Sequence, residues 1–322
     1  MLVGVLVLLM LQVSNASSDV GPLVRALWLL QSYGVSDASI PSNDQKLKAT
    51  LAKAISKDGA IELAELGGMM AADTFDKLSR GDRTIDKEDI ARALELSVPD
   101  SRKELLGKIS AHADFLTTSF DMIDESHRKA GLKLVQWIVA NYKPDLPLHI
   151  TIVCTGNSRR SIIGSSMGNI ASAYYGMPNI RFHSGGTTPS AFNSRTVHSL
   201  RDIGFEIEAT GAEAERGDPK TANPIYRVVW GKNLETLEFS KHYADSSNPQ
   251  SGFAALMVCN EADSECPAVT GASLRISLPY QDPKIYDDGQ YETAKYAERR
   301  DDIGRFMLSV MAHARREIEA KK

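Results

Sequence analysis

One stretch constrains the fold more than any other. Residues 149–154 form a short apolar, β-branched run, residues 160–175 carry a helical pattern, and only five residues separate the two. A run of that length and composition reads as a buried strand. Strand, tight loop and helix together open a parallel α/β unit. The alternation then continues, with strands expected at 180–183, 227–230, 253–259 and 273–277 and helices at 195–203 and 291–319. Such alternation predicts an α/β fold, a three-layer sandwich with a central parallel sheet and helices on both faces.

The texture before this point is different. Pro144 and Pro147 end a helix and favour extended chain, so the boundary is expected there, with residues 18–143 on one side and 148–322 on the other. A chain of 322 residues suits two domains. Leu47, Leu51 and Ile55 fall at four-residue spacing, residues 61–78 continue helically despite Gly67 and Gly68, and Pro99 can open a further helix that leads on to Val139. An all-α N-terminal domain of unassigned role is the expectation. Residues 81–86 lack the ligand alternation of a calcium loop and read as a solvated turn.

Residues 2–13 are almost wholly apolar, and Ser14 and Ala16 follow at the small-residue positions of a signal-peptidase site. Residues 1–17 are therefore expected to be an export signal, which implies a periplasmic or secreted protein. No Lys or Arg precedes the run, so the alternative is an apolar first helix on a cytoplasmic protein. The run is too short for a stable membrane span, and no other candidate span is present. The formal net charge of -4 offers no electrostatic footprint for nucleic acid.

There are three cysteines, Cys154, Cys259 and Cys266. An odd, small number does not build a disulfide scaffold, and all three fall in the C-terminal half. Cys154 ends the first strand. Thr155, Gly156, Asn157, Ser158 and Arg159 follow, then Arg160 and Ser161 at the helix start. Free backbone N–H groups in such a turn converge on an anion, with help from the helix dipole. The same field favours a thiolate. Arg160 can grip two oxygens of a tetrahedral anion, and Ser161 can donate to the sulfur. The pieces make a nucleophile inside an oxyanion cradle.

With these residues in view, residues 148–320 resemble the low-molecular-weight protein-tyrosine-phosphatase superfamily, and within it the thioredoxin-coupled arsenate reductases. Residues 150–161 resemble the family's first strand and loop, and Phe182, His183, Ser184, Gly185 and Gly186 its second strand and the Ser-x-Gly turn beneath the loop. The resemblance implies a redox relay. Cys154 would attack arsenate, Cys259 would attack Cys154, and Cys266, followed by Pro267, would carry the disulfide to a thioredoxin-like reductant. It also implies that Asp282, in an Asp-Pro pair with Pro283, is the general acid.

Several positions depart from the family. Arg159 stands where many relatives carry a cysteine, and Ser165 stands where classical reductases have a glutamate that helps hold a cation. Lys284 and Ile285 follow the Asp-Pro pair directly, with Tyr286 only afterwards. Neither a metal nor an organic cofactor is expected. Residues 209–249 form a long insert carrying Arg216, Arg227, Trp230 and His242.

Three readings follow. The first is arsenate reductase, needing all three cysteines. The second is a phosphatase-like hydrolase of phosphate esters through a cysteinyl-phosphate, needing only Cys154, Arg160 and Asp282. The third is a binding or sensor protein whose loop merely holds an anion.

Overall fold

The computed structural model describes residues 100–265, 268–319 and 321, together with residues 61, 62, 64, 75, 79 and 83–85. The export signal expected at 1–17 lies outside the described residues, as does most of the expected helical domain. Where that domain is described, the all-α expectation needs correcting. Ile61 and Glu62 pair antiparallel with Ile85 and Thr84, although residues 61–78 were read as helix and 81–86 as a solvated turn. Ile85 is 1% exposed. A two-residue ladder is too short for period-two alternation to register in sequence.

One compact unit comprises residues 100–117 and 123–322. Its elements in chain order are α1 (Gly107–Leu116), α2 (Glu125–Asn141), β1 (Leu148–Cys154), α3 (Arg160–Tyr174), β2 (Ile180–Gly186), α4 (Ser194–Asp202), β3 (Glu206–Glu213), β4 (Pro224–Gly231), β5 (Leu234–Glu238), β6 (Phe253–Met257), α5 (Asn260–Glu265), β7 (Ala272–Ser277) and α6 (Glu292–Glu319). Helices α1 and α2, which the sequence reading placed before the Pro144–Pro147 boundary, belong to this unit. Among the described residues no helix is long and apolar enough to cross a membrane.

The unit is α/β, with a central parallel sheet of four strands flanked by helices. The strand order is β2-β1-β6-β7. Cys154 aligns with Gly186 across β1 and β2, Val153 with Met257 across β1 and β6, and Met257 with Ser277 across β6 and β7. All four strands therefore end at one edge of the sheet. The chain leaves β1 towards β2 and later returns to β1's other side with β6. Such a reversal opens a crevice at the C-terminal strand ends, where open α/β sheets bind ligands.

Helix α3 is buried along its whole length, because α6 packs over it while β1 and β2 lie beneath. That explains its run of small residues. A Cβ on Gly164 would come within 2.8 Å of the Ile152 side chain, and one on Gly168 would enter the Phe182 ring. The helix can lie this close to the sheet only with hydrogen at those two positions.

The strand expected at 227–230 is present but does not join the parallel sheet. It lies within β4, the middle of a separate antiparallel sheet ordered β3-β4-β5. This sheet accounts for much of the insert. β3 carries Glu206, Glu208 and Glu213 and is almost wholly exposed beyond Ile207, so neither alternation nor apolar content marked it as a strand.

Candidate active site

The C-terminal ends of the parallel strands bring together most of the residues singled out in sequence. Cys154 closes β1, Ser184 and Gly186 close β2, Cys259 lies just past β6, and Tyr280 and Asp282 follow β7. Cys154 is 3% exposed.

The loop between β1 and α3 has an unusual division of labour. Its carbonyls are engaged on one side. Cys154 O accepts from Thr187 N at 3.0 Å, Thr155 O from Thr188 N at 2.9 Å, Gly156 O from Ser190 N at 3.0 Å and Ser158 O from Asn193 N at 3.2 Å. In a trans peptide the next residue's N–H points opposite to the carbonyl. The N–H groups of Thr155, Gly156, Asn157 and Arg159 are thus turned away from the 187–193 segment. None of the four donates to a backbone or side-chain acceptor among the described residues. Free N–H groups converging at the start of a fifteen-residue helix have the geometry of a nest able to accept an anion. Asn157 takes the left-handed conformation the nest needs, with φ of 41°; asparagine tolerates that region better than most residues.

Beneath the loop runs a chain of side-chain hydrogen bonds. Asn157 Oδ1 accepts from the backbone N–H of Lys241 at 2.8 Å, which fixes the orientation of its amide. Asn157 Nδ2 donates to Ser161 Oγ at 2.9 Å and to Ser184 Oγ at 2.8 Å. Ser161 Oγ lies 3.1 Å from the Cys154 sulfur. Since Ser161 already accepts from Asn157, its own hydrogen can be donated to the sulfur.

Gly186 lets the loop sit this close to β2. A Cβ there would lie 2.5 Å from Thr155 O and 2.8 Å from Asn157 N, both backbone atoms. Gly186→Ala is therefore expected to lower stability by about 1–3 kcal/mol, the usual cost of forcing a methyl group into a packed site. Urea denaturation measures it, and a variant as stable as the wild type would show that the loop yields freely.

The two arginines behave differently. Arg160 is 8% exposed. Its guanidinium donates to Tyr280 O at 2.9 Å and to Asp282 Oδ2 at 2.7 Å. Its Nε is buried with no partner among the described residues. A buried, unpaired N–H of a guanidinium is costly unless something accepts it, and an anion in the nest would. Arg159, expected at the rim as a substrate contact, is instead tied down. It donates to Tyr296 Oη at 2.6 Å and to Asp287 Oδ2 at 2.8 Å, and Tyr296 donates to Asp287 Oδ1 at 2.8 Å. These bonds anchor the loop to α6 and to the segment after Asp282.

Asp282 accepts through both carboxylate oxygens, from Arg160 and from Lys284 N at 3.0 Å. It thereby caps the 3-10 turn Pro283–Tyr286. Cys259 is fully buried. Its sulfur lies 3.5 Å from Thr155 Oγ1 and accepts from Ala262 N at 3.4 Å. Burial pushes its thiol up, only partly opposed by those two bonds and by the nearby Arg160 charge. Cys266 lies outside the described residues.

No protein-family model matches this chain, and no curated protein matches it at a significant level. The site must therefore be read from its own geometry. Among the described residues no group of three or more His, Cys, Asp or Glu side chains gathers to hold a metal.

Sequence reasoning missed the contribution of the insert. Ser240 Oγ donates to Gly156 O at 3.0 Å, Lys241 N to Asn157 Oδ1, and Asn248 Nδ2 to Ser184 O at 2.9 Å. The insert residues that did attract attention serve elsewhere. Arg216 pairs with Glu213 and Arg227 with Glu235, Trp230 is buried and His242 is exposed. A serine, a lysine and an asparagine in a polar loop carry no spacing signal that would have marked them.

Proposed function

We propose that residues 148–320 are a low-molecular-weight-phosphatase-type three-layer domain working as an arsenate reductase. The observation that carries the reading is the set of unpaired loop N–H groups beside a sulfur that lies 3.1 Å from the Ser161 hydroxyl. Arsenate binds in the nest through the N–H groups that follow Cys154. Arg160 turns its unpaired Nε and a second N–H onto two oxygens. The Cys154 thiolate attacks arsenic(V), an S–As bond forms, and an oxygen leaves as water with a proton supplied from Asp282. Asp282 is available for this because the anion draws Arg160 away from it.

The second thiol completes the reduction. Cys259 comes forward, gives its proton to the Asp282 carboxylate left by the first step, and attacks the Cys154 sulfur as thiolate. An S–S bond forms, the S–As bond breaks, and its electron pair stays on arsenic, which leaves as arsenite. Cys266 then attacks Cys259, freeing Cys154, and a thioredoxin-like dithiol reduces the resulting Cys259–Cys266 disulfide. The buried Cys259 must come forward for this, so α5 has to shift.

The second reading, a phosphate-ester hydrolase, is favoured by the same buried state of Cys259, whose thiol burial holds in the protonated form. In that reaction Cys154 takes the phosphoryl group, Asp282 protonates the leaving alcohol, and water hydrolyses the cysteinyl-phosphate.

Trapping distinguishes the two. In Cys266→Ser protein treated with arsenate, peptide mapping is expected to find a Cys154–Cys259 disulfide. In the intact chain the bond is expected between Cys259 and Cys266. Disulfides require Cα atoms within about 7 Å, so the two bonds demand two positions of the segment after Cys259. No Cys154–Cys259 bond in the Cys266→Ser protein would move the hydrolase reading to first place.

A further inference from the structure

The hydrogen-bond chain that ends on Cys154 begins in the insert. Glu238, the last residue of β5, and Lys241 are 5% and 7% exposed, and Lys241 Nζ lies 2.7 Å from Glu238 Oε1. The same carboxylate oxygen accepts the Ser184 hydroxyl at 2.8 Å. Two buried charges are no route to stability by themselves, since apolar residues of similar volume usually do as well. Their place directly beneath the loop suggests another use.

We infer that Glu238 and Lys241 are positioning residues that set the direction of the hydrogen bonds running from Ser184 through Asn157 and Ser161 to the nucleophile. The inference rests on the reading of Cys154 as that nucleophile. A carboxylate has no proton to give, so Ser184 must donate to Glu238. The Ser184 oxygen is then left to accept, and it accepts from Asn157 Nδ2. The Asn157 amide cannot turn over, because Oδ1 is held by the Lys241 backbone N–H. Both amide hydrogens are thus spoken for, one on each serine, and Ser161 has only the Cys154 sulfur left to donate to. Lys241 acts twice. Its backbone orients Asn157, and its ammonium balances the carboxylate where both side chains are nearly fully buried. Polar chains of this kind hold one arrangement only when every member is satisfied.

The test reads the sulfur directly and needs no turnover. Full-length protein is treated with iodoacetamide at pH 7, and the modification of Cys154 and Cys259 is followed by peptide mass spectrometry. In the wild type Cys154 is expected to react much faster than the buried Cys259. Glu238→Leu is expected to slow Cys154 about tenfold, the effect of weakening one hydrogen bond to a charged group. Ser161→Ala alone should cause a similar loss. Adding Glu238→Leu to it should cost less than about twofold more, because both changes act on one bond. Glu238→Gln retains an acceptor oxygen and is expected to restore the rate to within about threefold of wild type.

If Glu238→Leu opens the fold, rapid modification of Cys259 reports it, and Lys241→Met and Glu238→Gln then decide. Lys241→Met is expected to slow Cys154 as Glu238→Leu does. Full additivity with Ser161→Ala, or a Cys154 rate in Glu238→Leu and Lys241→Met within about twofold of wild type, overturns the inference. Either result leaves the nucleophile reading standing. That reading fails separately if wild-type Cys154 reacts no faster than Cys259.

Discussion

Cys154→Ser is expected to abolish arsenate reduction and aryl-phosphate hydrolysis together, with kcat/KM falling on the order of 10⁴-fold or more. The reason is the chemistry of the attacking atom. Sulfur is the better nucleophile of the two, and a serine hydroxyl in its place would need a general base to attack. Sulfur is also the only one of the two that can go on to form a disulfide. The change should leave the fold intact, because serine is slightly smaller than cysteine and a hydrogen-bonding neighbour, Ser161, lies 3.1 Å from the replaced atom. Phosphate and arsenate should still bind, since the nest donors belong to Thr155, Gly156, Asn157 and Arg159 rather than to Cys154. Steady-state assays of both activities and calorimetric titration with inorganic phosphate make the comparison. Activity within about tenfold of wild type would remove Cys154 from the chemistry, because loss of a covalent nucleophile costs far more than that. Lost activity with lost phosphate binding would point instead to a collapsed loop.

Asp282→Asn is expected to slow aryl-phosphate hydrolysis by about two orders of magnitude, the usual contribution of a positioned general acid. Phosphate affinity should change little. Asp282 reaches the site through Arg160, whose guanidinium lies 2.7 Å from Oδ2. Asparagine keeps a single acceptor oxygen; turned to Lys284 N it still caps the turn that opens at Pro283 but gives up the Arg160 ion pair, so the turn is preserved while the transferable proton is lost. The loss should shrink for substrates with good leaving groups such as nitrophenolate, which need less protonation, and grow for alkyl phosphates. A uniform decrease across leaving groups would assign Asp282 to holding Arg160 and the turn. Unchanged turnover would assign it to the turn alone.

The sequence by itself determined the framework of the α/β unit. The run ending at Cys154 is apolar and β-branched because β1 is covered on both faces, and the glycines and small residues of α3 mark a helix pressed against a sheet. Such signals are local: period, branching and breaker residues act within one element, and they located β1, α3, β2, α4, β6, β7 and α6 to within a few residues. They also located the loop, since strand, turn and helix are contiguous in the chain. Tertiary structure alone decided what lies around that loop. The exposed, acidic β3 is a strand only because β4 supplies its hydrogen bonds, so no periodicity in its own residues announces it. Arg159 and Arg160 are neighbours of identical type, yet one is bound to Tyr296 and Asp287 and the other faces Asp282 with an unpaired Nε, because the helix start points them to different segments more than a hundred residues away. Glu238 and Lys241 became part of the sulfur's surroundings only when the insert folded back alongside the end of β2. A hydrogen bond depends on distance and direction in space, and the separation of its partners along the chain carries no trace of either.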